Sequence, residues 1–418
     1  MINYDVVIVG GGVAGLSAAI EAKKQGVDKI LLLEHEKFLG GVLNQCIHNG
    51  FGKFILKEEV TGPEYANIFI EEIKKNGIEY KIDTTVIEIS KDKKITYVNP
   101  KEGVVEVIAK AIIIATGCRE KTRGAANISG SSFAGVFTAG MVQKIINLEG
   151  VLPGKNVVIL GSGDLGLIVA KTLTLEGAKV KAVIEMLPYC SGLEENYIEC
   201  LKAFGIPLKL QHTIVDIKGK ERVNGVTIAR VDEGGKPIKS SEEFMTCDTV
   251  VLSVGLIPEV ELFRSAGIHI DEDYGGTIVD ESMQTNIEGI FACGNSVHLH
   301  DYVDDVTIEG AVAGNKAAKY VKMGLYKENV KKVKKSDGLK YILPKYFNID
   351  NIDKDVQFKF RTDKIFRNAN IKFEFEGKEI NFYRDDILPS KMEIITLPKE
   401  ILSQYKDYKT IEVSICEL

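Results

Sequence analysis

The sequence predicts an α/β protein: two copies of one strand–turn–helix–strand unit, one inserted in the other, and a small β-rich C-terminal domain. Three observations predict it. Residues 4–36 and 155–187 match at Val6/Val157, Ile8/Ile159, Gly10/Gly161, Gly12/Gly163, Gly15/Gly166, Gly26/Gly177 and Glu34/Glu185. Glycine is abundant, with 40 residues against 10 prolines, which marks tight backbone approaches rather than extended linkers. Beyond residue 338, apolar side chains fall at alternate positions in short runs, as in strands with one buried face.

The first unit reads as the strand Asp5-Val-Val-Ile-Val9, then Gly10-x-Gly12-x-x-Gly15, a helix-like stretch to Gly26 and an apolar run ending at Glu34. The second repeats it from Val157 to Glu185. One such glycine turn is a weak signal; two, each between a strand and a helix, make a Rossmann-like dinucleotide-binding unit the expectation. The first glycine makes the tight turn, the second admits the phosphates, and the third lets helix and strand pack closely. The pyrophosphate then rests on the free N–H groups that open the helix. Expected phosphate contacts are Gly10, Gly12, Val13, Ala14 and Gly15 in the first copy. In the second they are Gly161, Gly163, Asp164, Leu165 and Gly166. Glu34, with His35 beside it, and Glu185 end the second strand of each copy, where a carboxylate accepts from ribose hydroxyls.

The 418 residues allow about three domains at roughly 150 residues each. With 53 basic and 59 acidic residues the net charge is −6, which argues against a nucleic-acid-binding surface. No basic segment precedes the first apolar stretch, so no secretory signal is expected. Val6–Ile20 is broken by glycines and followed by charges, so no membrane span is expected either. Seven cysteines without a Cys-x-x-Cys suggest a reducing, cytoplasmic setting. His298-Leu-His300-Asp301 reads as a polar loop; with no fourth ligand indicated, no metal is expected. Residues 327–338, with Lys327, Lys331, Lys332, Lys334 and Lys335, read as a solvated linker, the alternative being a surface for an anionic partner. In 339–418 the alternating runs Val356–Arg361, Ile371–Phe375, Met392–Ile395 and Ile411–Ile415 read as a small antiparallel sheet or sandwich with no titratable cluster. It would serve oligomerisation or partner docking, or be purely structural.

Further motifs extend the pattern over residues 1 to about 325. Ala115-Thr116-Gly117 follows an apolar run, as does Ser253-Val-Gly255-Leu-Ile-Pro258, and Thr285-Asn-Ile-Glu-Gly-Ile-Phe-Ala-Cys-Gly294-Asn295 comes later. Together they resemble the two-dinucleotide-binding-domain flavoproteins, the pyridine nucleotide-disulfide oxidoreductase superfamily. The resemblance implies FAD on a discontinuous domain, 1–122 and 282–326, and a nicotinamide nucleotide on an inserted domain, 123–281. It also implies cofactor contacts at Ala115, Thr116, Gly117, Gly255, Gly294 and Asn295, with Glu309 and Gly310 as flavin neighbours on the helix that follows. Asn295 departs from the Asp that the family places on the flavin ribityl chain, and so removes a negative charge. A carboxylate at Glu185 pairs with a free 2′-hydroxyl and repels a 2′-phosphate. Met186-Leu-Pro-Tyr189 supplies no Arg or Lys, so NAD(H) is expected ahead of NADP(H).

Disulfide reductases of this superfamily use a cysteine pair, whereas Gly40-Gly41-Val42-Leu-Asn-Gln-Cys46-Ile-His48 holds one. The resemblance puts this loop, Gly41 and Val42 included, near the flavin. Cys46 and His48 are the candidate catalytic groups. The thiol is either reactive, as in NADH oxidases and peroxidases, or a small residue lining the pocket. The imidazole is either a general base or a partner within its own loop. Leu39–Gly52, Gly154–Gly166 and Val297–Asp304 are similar, more narrowly, to bacterial NAD(P)/FAD oxidoreductases encoded beside glycerol-3-phosphate-dehydrogenase-like flavoproteins. They also resemble the FAD subunits of hydrogen cyanide synthase, opine oxidase and dye-linked proline dehydrogenase. This implies hydride transfer between NADH and FAD and electron exchange with a partner flavoprotein subunit or a small molecule, in a homo- or hetero-oligomer. The alternatives are a Cys46-based oxidase or peroxidase, and an FAD-binding relay subunit with no activity alone.

Overall fold

The structure, a computed structural model, describes residues 2–129, 133–325, 328–404 and 408–418. It divides into two compact units, Met1–Cys118 with Pro258–Leu418, and Arg119–Ile257.

The first unit starts with β1 (Ile2–Val9), α1 (Val13–Lys24) and β2 (Ile30–Leu33), the strand–turn–helix–strand of the first repeat. After α2 (Gly62–Lys75) come β3 (Glu79–Lys81), β4 (Thr85–Ile89), β5 (Lys94–Asn99) and β6 (Gly103–Ile114). The order β3-β2-β1-β6 is parallel, and the β4-β5 hairpin pairs antiparallel with the first half of β6. Val6, Val7, Ile8, Ile112 and Ile113 are wholly buried, as expected for central parallel strands covered on both faces.

The second unit repeats the plan. Strands β7 (Val136–Thr138), β8 (Asn156–Leu160), β9 (Lys179–Ile184) and β10 (Leu208–Lys209) flank α3 (Ala139–Glu149) and α4 (Asp164–Leu175). An antiparallel trio, β11 (His212–Gly219), β12 (Val223–Arg230) and β13 (Glu243–Met245), precedes β14 (Thr249–Leu252). The parallel order is β10-β9-β8-β14-β7.

The chain rejoins the first unit at Pro258 rather than at the expected residue 282. Val260, Phe263, Ala266, Ile268 and Val279 are buried in the first unit's core, so residues 258–281 belong there. Strand β15 (Ile290–Ala292) then pairs with the end of β6, and α5 (Val303–Met323) packs on α1. A Cβ on Gly310 or Gly314 would meet Ala14 O at 2.3 Å or Ala18 O at 2.2 Å. Only glycine allows the two helices this approach.

The C-terminal part is β-rich, as the alternation predicted, though not wholly antiparallel, since Val330–Lys335 pairs parallel with Thr410–Glu417. One sheet runs β18-β16-β23-β20-β21 and the other β17-β19-β22. Their strands are β16 (Val330–Lys335), β17 (Leu339–Leu343), β18 (Tyr346–Asn348), β19 (Asp355–Thr362), β20 (Phe366–Phe375), β21 (Lys378–Ile387), β22 (Glu393–Pro398) and β23 (Thr410–Glu417). Phe347, Phe358, Phe360 and Phe373 fill the core. This part clusters with the first unit instead of standing apart, since Tyr341 and Leu343 enter that unit's core and the Tyr341 and Tyr274 rings meet at 4.9 Å.

The lysine-rich stretch is a strand over Val330–Lys335, not a linker. Val333 points inward, and Lys331 buries its stem while its ammonium donates to Tyr408 O at 2.6 Å. Lys327 lies outside the described residues. No helix among the described residues is long and apolar enough to cross a membrane.

Candidate functional site

Each repeat folds its glycine turn the same way. Gly10 and Gly161 have φ of +108° and +99°, and a Cβ there would sit 2.3 Å from Ala115 O and 2.0 Å from Ser253 O. A Cβ on Gly15 would strike Gly10 O at 1.9 Å. These glycines serve the backbone itself. Gly12 and Gly163 differ: nothing lies within 4 Å of a Cβ built on either. The space beside them is open, as a phosphate approach requires.

The helix starts agree. Gly12 caps α1 and Gly163 caps α4 without a side-chain hydrogen bond. By contrast, α2 is closed by the reciprocal Thr61–Glu64 capping box. The N–H groups opening α1, from Val13 and Ala14 on, remain to be satisfied by an anion, and no acidic residue stands in that first turn. In α4 the first-turn acid Asp164 is turned aside, accepting from Leu193 N at 2.8 Å and Asn196 Nδ2 at 2.6 Å, with Leu165 following it in the turn. The residues present therefore fit a dinucleotide pyrophosphate at both turns.

A buried carboxylate closes each turn. Glu34 Oε2 accepts from Gly11 N at 2.6 Å, and Oε1 from Glu36 N at 2.7 Å. Burial alone would raise its pKa; hydrogen bonds from His35, Glu36 N and Gly11 N outweigh that and hold it below the ordinary carboxylate value. Glu185 Oε2 accepts from Ser162 N at 2.9 Å and Ser162 Oγ at 2.6 Å, and Oε1 from Leu187 N at 2.9 Å. Both acids thus sit against the glycine turn that precedes them.

The later motifs converge on the first turn. Ala115 N donates to Val9 O, Thr116 Oγ1 donates to Glu259 O at 2.9 Å, and Gly117 takes φ +72°. Gly294 faces the start of α1: a Cβ on it would lie 2.9 Å from that of Ala14. Gly41 packs on Gly12, with a built Cβ 3.0 Å from Gly12 Cα. In the second unit Gly255, at φ +102°, accepts from Lys121 N. Asn295 Oδ1 accepts from His300 N at 3.1 Å and bonds His300 Nδ1 at 3.0 Å, while its Nδ2 reaches Cys118 Sγ at 3.6 Å.

Cys46 and His48 share a loop. Cys46 is partly exposed and its thiol donates to Val42 O at 3.4 Å. His48 Nδ1 bonds Asn49 O at 2.8 Å and its ring packs on Phe51.

Glu309 has a fuller setting than the sequence suggests. It is 5 % exposed, and Oε2 accepts from Gly294 N at 2.8 Å. His298 Nε2 lies 3.2 Å from Oε1, and His300 Nε2 lies 3.3 Å from Oε2 without hydrogen-bond alignment. Lys359, from β19 of the C-terminal part, donates to Oε1 at 3.0 Å. Burial would raise the Glu309 pKa, but the charges of Lys359, His300 and His298 reverse this and hold it well below the usual range. Burial pushes His298 down to about 3, with His300 and Lys359 adding to the effect against Glu309.

The C-terminal part therefore does contribute titratable groups to a cluster, contrary to the expectation from its sequence. The signal was present in Phe358-Lys359-Phe360-Arg361: both phenylalanines are wholly buried, so alternation sends Lys359 and Arg361 to the opposite face. Arg361 pairs with Asp301 and reaches Leu299 O at 3.4 Å. His298, His300 and Glu309 bring potential ligand atoms within 4.8 Å of one another. The Lys359 ammonium already neutralises their single carboxylate, so the group is built as an ion-pair network.

The family described as pyridine nucleotide-disulphide oxidoreductase matches residues 4–324. Thioredoxin reductase of Listeria monocytogenes is 28% identical over 322 residues, covering 76% of this chain and 94% of the relative. Hydrogen cyanide synthase subunit HcnB of Pseudomonas protegens is 26% identical over 291 residues, which is 64% of this chain and 59% of that subunit. The crystal structure of T. acidophilum thioredoxin reductase, 25% identical, matches with a TM-score of 0.63 over 76% of this chain and 99% of that one.

Proposed function

The chain belongs to the pyridine nucleotide-disulphide oxidoreductase family, FAD-dependent NAD(P)H oxidoreductases, and on that premise we propose that it couples NAD(H) to an external electron acceptor or donor without a cysteine pair. FAD occupies the first unit and NAD(H) the second. The partner is a second flavoprotein subunit or a small molecule. The observation that carries this reading is the pair of open glycine turns, each latched by its own buried glutamate, in a chain whose flavin loop holds only Cys46.

Bound FAD supplies acceptance of a hydride from NADH and delivery of two electrons onward. The chain's own residues bind and orient. The N–H groups opening α1 and α4 hold the two pyrophosphates, and the open faces of Gly12 and Gly163 let them approach. Glu34 and Glu185 accept from the adenosine riboses. Glu185, with no cation in Met186–Tyr189, favours a free 2′-hydroxyl over a 2′-phosphate. Asn295, held by His300, and the neighbouring Gly294 would hold the flavin chain.

Anaerobic stopped-flow mixing with NADH or NADPH, following flavin absorbance, tests the reading. Bleaching by NADH faster than by NADPH is expected. Bleaching by neither nucleotide overturns hydride transfer from nicotinamide. Loss of peroxide or oxygen turnover in Cys46→Ser, with FAD retained, would turn the assignment to the single-cysteine oxidase or peroxidase.

A further inference from the structure

We propose that Lys359, supplied by the C-terminal part, is a positioning residue for the flavin site, acting through Glu309 on the Gly294–Asn295 segment and raising the potential of the bound flavin. The proposal rests on the assignment of FAD to the first unit.

Lys359 stands on β19 between the buried Phe358 and Phe360, so alternation puts it on the opposite face, where it meets Glu309 of α5 at 3.0 Å. Its side chain is 10% exposed and that of Glu309 5%. A cation and a carboxylate so far from water are each costly alone, and either one left unpaired would disturb its surroundings. The pairing is therefore tightly specified. Glu309 in turn holds Gly294 N at 2.8 Å and faces both histidines, one of which anchors Asn295. Two residues further along the same face, Arg361 pairs with Asp301. One strand thus secures the segment from Gly294 to Asp301 at two points.

The charge balance gives the direction of the effect. Asn295 brings no negative charge to the flavin chain, and Lys359 adds a positive one behind Glu309. A fixed cation favours the negative charge gained on reduction. Removing Lys359 leaves Glu309 with less compensation, so reduction becomes harder and the hold on Gly294 loosens.

Lys316 provides the control. It lies on the same helix and docks the same C-terminal part, donating to Asn351 O and Asp353 Oδ2 at 2.6 Å each, but it does not touch Glu309. The experiment compares FAD-loaded wild type, K359M, K359R and K316M by spectroelectrochemical titration, FAD dissociation constant and thermal melting. K359M is expected to lower the flavin midpoint potential and to weaken FAD binding by about tenfold or more. K359R is expected to stay near wild type. K316M is expected to melt earlier with its potential unmoved. If K359M does not fold, K359Q, which keeps a donor for Glu309 but no charge, carries the same lowered potential. An unchanged potential in the uncharged variant overturns the proposal, as does an equal shift in K316M. Wild-type protein that takes up no FAD would instead overturn the cofactor assignment.

Discussion

The Gly11 backbone N–H donates to Glu34 Oε2 at 2.6 Å, tying the first glycine turn to the acid at the end of the next strand. Ser162 N and Glu185 Oε2 make the same bond at 2.9 Å in the second repeat. Turn and carboxylate are therefore tied directly together in each unit.

The glycines of the first turn divide by role. Gly15→Ala forces a Cβ to within 1.9 Å of Gly10 O and should abolish folding of the first unit. Gly12→Ala meets nothing within 4 Å and should fold with an unchanged apoprotein melt. Its methyl fills the phosphate approach, so the FAD dissociation constant should rise tenfold or more. Circular dichroism melts and flavin titration separate the two outcomes.

Glu185→Ala removes the acceptor at the end of β9 and leaves the Leu187 N–H without its partner. The KM for NADH should rise about tenfold, the worth of one hydrogen bond to a charged group. The preference for NADH over NADPH should narrow. Initial rates with both nucleotides and a fixed artificial acceptor measure it.

His298 sets an acid limit on stability. Its pKa is about 3 in the fold, below its ordinary value, so unfolding takes up a proton between those two values. The contribution is fully present above the unfolded pKa of roughly 6.5 and is lost as pH falls toward 3. Stability should fall by up to about 1.4 kcal/mol per pH unit in that window. Denaturant melts of His298→Gln, which keeps a donor for Glu309, should show a flatter acid limb.

Asp280 has the opposite sign. Burial, with the charge of Glu281 adding, raises its pKa well above the ordinary value, against N–H donors from Gln284 and Ser282 and the charge of Lys316. Its contribution is present below the unfolded pKa and is lost as pH rises through the folded one. Asp280→Asn keeps an acceptor for Ser282 N and Gln284 N. It should melt a few degrees higher than wild type near pH 8, with no difference below about pH 4.

Cys46→Ser should leave FAD content and the rate of flavin reduction by NADH unchanged. The thiol's hydrogen bond is to Val42 O within its own loop, which a serine hydroxyl can replace. Rapid mixing with NADH checks it.

Much of the site was legible in the chain because its parts are local. Gly10, Gly15, Gly161 and Gly166 answer to atoms a few residues away or on the neighbouring strand, and Glu34 and Glu185 fall where the repeat ends. The β-rich C-terminal part was legible from its alternation. Its lysine-rich start was misleading, because Lys331 and Val333 point inward in a strand that composition alone reads as solvated.

The sequence by itself determined the two repeated units, the single cysteine of the Gly40–His48 stretch and the strands of the C-terminal part. Each of these depends on periodicity and near neighbours. Only the tertiary structure decided that the chain rejoins the first unit at Pro258 and that Lys359 lies 3.0 Å from Glu309. Alternation says which face of a strand a lysine occupies, but only the packing of that face says which carboxylate it meets.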